Sequence, residues 1–197
     1  MKSRITTLLA VIMAIAEAIL VLVSWLLSAT MTEGVRSLLS SEGVRWFAVH
    51  ITDTLLTPLL AWMLLASMAW GCVRRSRLLR SLTHHQSYRE RLAIRMTVLS
   101  TAAYVCVVSL LVAVPHAVLL SATGRLWPSP FSAAIVPILC FGTTLVAIVY
   151  GLVGRHFRSV ADICQAFVYG LTEWASLFFL YVLAAQFFSS LRFVFTF

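Results

Sequence analysis

Long apolar stretches alternate with short polar segments along the chain, and this pattern predicts an all-α, polytopic membrane protein. Five stretches are apolar, at about residues 8–29, 55–73, 96–121, 131–153 and 165–190. As a helix that rises 1.5 Å per residue, each stretch is long enough to cross a hydrocarbon core of about 30 Å. We therefore expect about five transmembrane helices in a single integral membrane domain covering residues 1–197.

A shorter segment between the first two stretches predicts a helix that lies in the membrane interface. Three apolar residues of SSEGVRWFAVH share one helical face: Val44, Phe47 and Ala48. An apolar face bounded by polar residues is typical of such a short interfacial helix. Ser40 or Ser41 suits its N-cap, and Pro58 suits the first turn of the transmembrane helix that follows.

The composition excludes an ordinary soluble domain. The chain is 61% hydrophobic and only 11% charged, and its mean hydropathy is +0.96. A soluble domain of 197 residues has too little interior to bury so much apolar surface. The chain also has no nucleophile elbow, Walker loop or zinc-protease motif, so we expect no enzyme, no cofactor and no metal site.

The basic residues predict how the chain is oriented. Seven of its fifteen lysines and arginines lie in one segment, Arg74–Arg95, called the arginine segment below. Such a segment stays in the cytoplasm, so we expect a cytoplasmic N-terminus and an outside C-terminus in a bacterial inner membrane. Because the basic residues adjoin apolar runs, we expect anionic lipid as the partner of this segment, and no nucleic acid.

Acidic residues in or beside apolar stretches are the candidate functional groups. Glu17 and Glu173 lie inside stretches, and Asp53 precedes one. An acid in lipid is costly unless it faces water or a partner, so one interpretation makes these residues proton or cation sites, or the lining of a substrate path. The alternative is that they bond to His50, His116 or a hydroxyl and hold helices together.

Two prolines in the predicted spans also allow two interpretations. Pro115 and Pro137 lie in predicted spans and either kink the helix or mark a broken helix of the kind that builds transporter sites. The sequence lacks paired glycine-rich interruptions, which favours kinks.

Two stretches carry ordered sets of motif residues. In Ser37–Leu79 these residues are Gly43, Arg45, Trp46, Pro58, Ser76, Leu78 and Leu79. In Pro130–Phe193 they are Tyr150, Gly151, Asp162, Ala184, Ala185, Gln186 and Phe187. In order and spacing, both stretches resemble segments of the p-aminobenzoyl-glutamate transporter family. The resemblance implies a shortened member, since the family's central re-entrant region is replaced here by the arginine segment and residues 96–121.

The resemblance implies transport or efflux of a small organic anion, with possible proton or sodium coupling. In that role Glu17 and Glu173 would couple transport by protonation, and Arg45 or His116 would bind the anion. Gln186 and Asp162 are positions shared with the family. Since five helices are too few to enclose a path, we expect a homo-oligomer or a partner membrane protein. The alternative hypothesis is a non-transporting scaffold or accessory subunit.

Overall fold

The computed structural model describes residues 2–30, 35–81, 88–113 and 130–195. These ranges hold α1 (Lys2–Ala29), α2 (Ser41–Leu55), α3 (Pro58–Ser76), α4 (Leu78–Ser81), α5 (Tyr88–Ala113), α6 (Pro130–Val153) and α7 (Val160–Phe195). No β-strand occurs in the described ranges. The predicted all-α fold is therefore confirmed.

Helices long and apolar enough to cross a membrane are α1, α5, α6 and α7. The pair α2 and α3 satisfies the same criteria when taken together, and it bends by 45° at the break between them. The chain is thus a multi-pass membrane protein. The outer end of the third predicted stretch, with Pro115 and His116, lies outside the described residues.

The direction of α1 relative to the end of α7 bears on whether the bent pair crosses the membrane. Glu17 of α1 bonds to Ser190 of α7, and Leu20 packs in one cluster with Phe193 and Val194. From Glu17 to Leu20 the chain moves toward the C-terminal end of α1, and the contacted residues move from Ser190 to Phe193, toward the C-terminal end of α7. The two helices therefore run parallel. Two parallel spans need an odd number of crossings between them, and α5 and α6 supply two. Counted with the bent pair as one span, the described residues have up to five candidate spans, which agrees with this parity.

The described residues form two compact units. The terminal unit comprises Met1–Ala61 and Trp174–Phe197, and the central unit comprises Trp62–Glu173. Both α3 and α7 contribute residues to each unit. The extent of a single domain over residues 1–197 stays a prediction.

In the terminal unit, residues 35–40 pass between α1 and the end of α7. The backbone N–H of Leu38 donates to Ser24 Oγ at 3.3 Å, and the N–H of Arg36 donates to the Val194 carbonyl at 3.1 Å. Ser40 then caps α2, because its hydroxyl accepts from the N–H of Gly43 at 3.1 Å. The predicted cap is confirmed.

The packed face of α2 differs from its predicted apolar face. Gly43 is buried, and the Trp46 ring stacks on Phe193 with centroids 4.5 Å apart. Val44 and Phe47, from the predicted face, are 58% and 42% exposed. This exposed apolar face fits contact with lipid, and the interfacial position of α2 stays a prediction.

In the central unit, α3 and α7 cross at a very small separation. A Cβ on Gly71 would lie 2.1 Å from the Ala166 carbonyl oxygen, and a Cβ on Gly170 would lie 1.9 Å from that of Ser67. Small residues four apart on both helices allow this approach, as in other membrane helix pairs. Elsewhere in the unit, α6 is continuous through Pro137, so the broken-helix alternative does not apply to that position.

Candidate functional site

A two-residue break at residues 56–57 separates α2 from α3 in the terminal unit. α2 ends at Leu55 and α3 begins at Pro58, as predicted for that proline. Proline lacks an N–H and disfavours helical geometry in the residue before it, which explains the break. The Tyr181 hydroxyl of α7 donates to the Leu55 carbonyl at 3.1 Å and bonds to the Thr57 hydroxyl. The Leu55 carbonyl also accepts from the Thr57 N–H at 2.8 Å, so Tyr181 adds a second bond there and ties the break to α7.

An open cavity of about 700 Å³, called the break cavity below, lies beside this break. It is lined by α2, the start of α3 and the end of α7: Trp46, His50, Asp53, Thr54, Thr57, Leu59, Tyr181, Ala184, Ala185, Phe188, Ser189 and Arg192. Thr54 and Ser189 bond to each other across it at 3.0 Å. All these residues belong to the terminal unit.

The lining combines aromatic surface with separated charges. Trp46, Tyr181 and Phe188 supply rings, Arg192 supplies a cation and Asp53 a carboxylate. Aromatic faces hold a planar organic group, and a guanidinium binds a carboxylate through paired hydrogen bonds. The cavity therefore suits a small aromatic molecule that carries an acidic group.

Glu17 lies in a partly buried chain of polar contacts between α1 and α7. Its Oε1 accepts from the Ser190 hydroxyl at 2.6 Å, and Gln186 Nε2 donates to the same hydroxyl oxygen at 3.2 Å. Within the described residues, the buried Oε2 of Glu17 has no hydrogen-bond partner. The hydroxyl partner is of the kind expected for an acid that holds helices together, and the unbonded oxygen is the feature that this alternative does not explain.

Glu173 has partners of a different kind, in the central unit. Its Oε2 accepts from Trp70 Nε1 at 3.0 Å, and its Oε1 lies 3.7 Å from Arg74 Nη2. The Arg74 guanidinium also lies 5.0 Å from the Trp70 ring centroid. These contacts join α3 to α7, as the structural alternative expects, although the partners are an indole and an arginine in place of a histidine or hydroxyl.

The structure separates the remaining candidates. Asp53 lines the break cavity, together with His50. Arg45 is exposed on α2 and is not among the described lining residues. His116 lies outside the described residues. Asp162 caps α7, since its carboxylate accepts from the N–H groups of Arg158 and Ser159 at 2.8 and 3.1 Å.

Several residues of the site were missed by sequence reasoning. Tyr181, Ser189 and Arg192 all line the break cavity from α7. Their spacing of eight and three residues places them on one helical face, which was the available signal. Inside a strongly apolar helix, a polar face of this kind indicates a cavity or a partner helix.

Comparison with known families bears on this arrangement of a bent helix pair and a polar chain within apolar helices. The sequence model of the AbgT putative transporter family matches residues 69–194, which is well over half of the chain. The chain belongs to the AbgT transporter family. The resemblance to p-aminobenzoyl-glutamate transporters is thereby confirmed at the level of the family.

The AbgT match includes only some of the site residues. It includes Glu173, Tyr181, Gln186 and Arg192 on α7, and it begins after α2. The break cavity therefore combines matched residues of α7 with residues of α2 that precede the match. Comparisons with curated proteins and with solved structures gave no match.

Proposed function

We propose that this AbgT family member transports a small organic anion across a bacterial inner membrane, with the break cavity as part of the substrate path. Family membership supports transport. The observation that carries the substrate class is the combination of Arg192 with aromatic residues in one cavity. In this proposal Arg192 binds the substrate carboxylate, and Trp46, Tyr181 and Phe188 hold its ring.

Asp53 and His50 add further polar groups to the lining of the cavity. Both lie on α2 and line the same cavity as Arg192. In the proposal their side chains bind an amine or amide of the substrate, so a substrate that carries both an acid and a nitrogen group fits best. p-Aminobenzoyl-glutamate has a ring, an amine and carboxylates, and is therefore the first probe.

Glu17 is the proposed coupling group. Its buried Oε2 has no hydrogen-bond partner within the described residues, so proton binding changes the charge of a group enclosed by α1 and α7. Gln186 and Ser190 hold the carboxyl in place. Glu173, bonded to Trp70 and Arg74, serves in the proposal to hold α3 and α7 together.

Binding to the purified protein tests the substrate site. We expect Arg192→Gln to weaken binding of p-aminobenzoyl-glutamate in nanodiscs by roughly tenfold or more, because a charge-assisted contact is lost. Arg4→Gln is the matched control, since it removes the same charge from an exposed position of α1 outside the described cavity lining. Isothermal titration calorimetry gives both affinities.

Two results would count against the proposal. Equal affinity of the wild type and Arg192→Gln would remove the break cavity from the substrate path. Wild-type protein that binds no organic anion, yet co-purifies with a larger membrane protein, would support the accessory-subunit hypothesis instead.

A further inference from the structure

A second, strongly polar cleft lies in the central unit and has no part in the proposed transport site. Its volume is about 270 Å³, and it is lined by Arg75, His156, Phe157, Arg158, Asp162 and Gln165. These residues come from the end of α3, the connection between α6 and α7, and the start of α7. Two arginines and an amide thus converge from separate elements.

Arg75 is held in position by its neighbours. Its Nη2 donates to Gln165 Oε1 at 3.4 Å, and its guanidinium lies 5.7 Å from the Tyr169 ring centroid. A guanidinium has five N–H donors, so these contacts leave most of them available. The Gln165 amide uses its oxygen in this contact and retains its NH₂ group as a donor.

Asp162 offsets only part of the positive charge of the cleft. Its carboxylate bonds to the backbone N–H groups of Arg158 and Ser159 and so caps α7. Burial lowers the pKa of His156, and the positive charge of Arg77 lowers it further. The negative charge of Glu90 has a smaller, opposite effect. With His156 neutral at pH 7, Arg75, Arg158 and Asp162 give a net charge of +1, which matches one phosphodiester.

We propose that this cleft binds a phosphate group, with Arg75 and Arg158 donating to its oxygens and the Gln165 amide completing the site. Guanidinium groups are suited to phosphate because their paired donors match its geometry. The cleft lies at the ends of apolar helices, which is where phospholipid headgroups are found. A phospholipid is therefore the favoured source of the phosphate, and soluble phosphate is the other.

Native mass spectrometry of the full chain tests this site. The protein is released from nanodiscs that contain phosphatidylglycerol and phosphatidylcholine, and the retained phosphatidylglycerol is measured. We expect the double variant Arg75→Gln/Arg158→Gln to lower its retention at least tenfold. The control Arg89→Gln/Arg91→Gln removes the same charge from exposed positions of α5 and should retain the lipid.

The source of the phosphate is decided by a second arm. Inorganic phosphate is added to the protein in detergent, and binding is measured by calorimetry. Cleft-dependent binding of phosphatidylglycerol alone assigns the site to lipid, and cleft-dependent binding of inorganic phosphate assigns it to a soluble ligand. Both outcomes support the phosphate site.

Equal losses in the two double variants would overturn the proposal, because they would indicate diffuse attraction to positive charge. So would unchanged retention in the cleft variant. If that variant does not fold, Gln165→Ala replaces it, since this change keeps both arginines and the exposed position tolerates a smaller residue. A severalfold loss of retention is then expected, and no loss would contradict the site.

Discussion

Gly43 illustrates how one residue decides local packing in the terminal unit. A Cβ at this position would lie 2.5 Å from the carbonyl oxygens of both Ser37 and Leu38. Backbone atoms cannot move aside as the end of a long side chain can. The glycine therefore lets α2 begin directly against residues 35–40, which places Trp46 on Phe193.

Gly43→Ala should destabilise the protein by about 1–3 kcal/mol, because the added methyl group overpacks a contact with backbone. Thermal unfolding in detergent, followed by circular dichroism, measures the effect. Ser41→Ala is the control, since Ser41 is exposed and the cap is Ser40. Equal stability of Gly43→Ala and the wild type would contradict the close approach.

Local signals were sufficient for the residues that form helix ends. Ser40 and Pro58 were predicted as a cap and a first-turn proline because each acts through its own neighbours in sequence. Glu17 and Ser190 are 173 positions apart, and no pattern in the sequence pairs them. Glu173 was recognised as costly in an apolar stretch, but its partners Trp70 and Arg74 depend on how α3 and α7 cross.

The bent pair α2 and α3 is the element on which the proposed transport site depends. The sequence predicted both helices, and it directed attention to Pro115 and Pro137 as possible broken helices. α6 is continuous through Pro137, and Pro115 lies outside the described residues. A break lies at residues 56–57, where Pro58 begins a new helix. Its consequence for function became visible only with Tyr181, which bonds to the break from α7. Contacts of this kind follow from tertiary packing and not from helical periodicity.

Tyr181→Phe tests the role of the break. Loss of the hydroxyl removes its bonds to the Leu55 carbonyl and the Thr57 hydroxyl. This should cost about 0.5–1.5 kcal/mol in unfolding free energy, since the Leu55 carbonyl keeps its bond from the Thr57 N–H. Hydrogen exchange of residues 52–60 should also become faster, since the break is no longer held to α7. The control is Tyr169→Phe, whose exposed ring belongs to the central unit. Unchanged exchange in Tyr181→Phe would show that the break is stable without it.

On the scale of the whole molecule, the parallel arrangement of α1 and the end of α7 is the main structural result. It brings Glu17 beside Ser190 and Gln186. The predicted number of spans came from apolar length alone, which cannot show which helices are neighbours. The resemblance at both ends of the chain led to the AbgT family, which the match over residues 69–194 confirms.

Uptake of radiolabelled p-aminobenzoyl-glutamate into proteoliposomes that contain only this chain is the direct test of the proposed anion transport. With an imposed pH gradient, the wild type should accumulate the compound above empty liposomes. Glu17→Gln should bind the compound but lose the response to the gradient, because the amide cannot exchange a proton. We expect the wild type to accumulate the compound and this accumulation to depend on Glu17. Wild-type uptake no greater than that of empty liposomes, from protein shown to be folded, would contradict it.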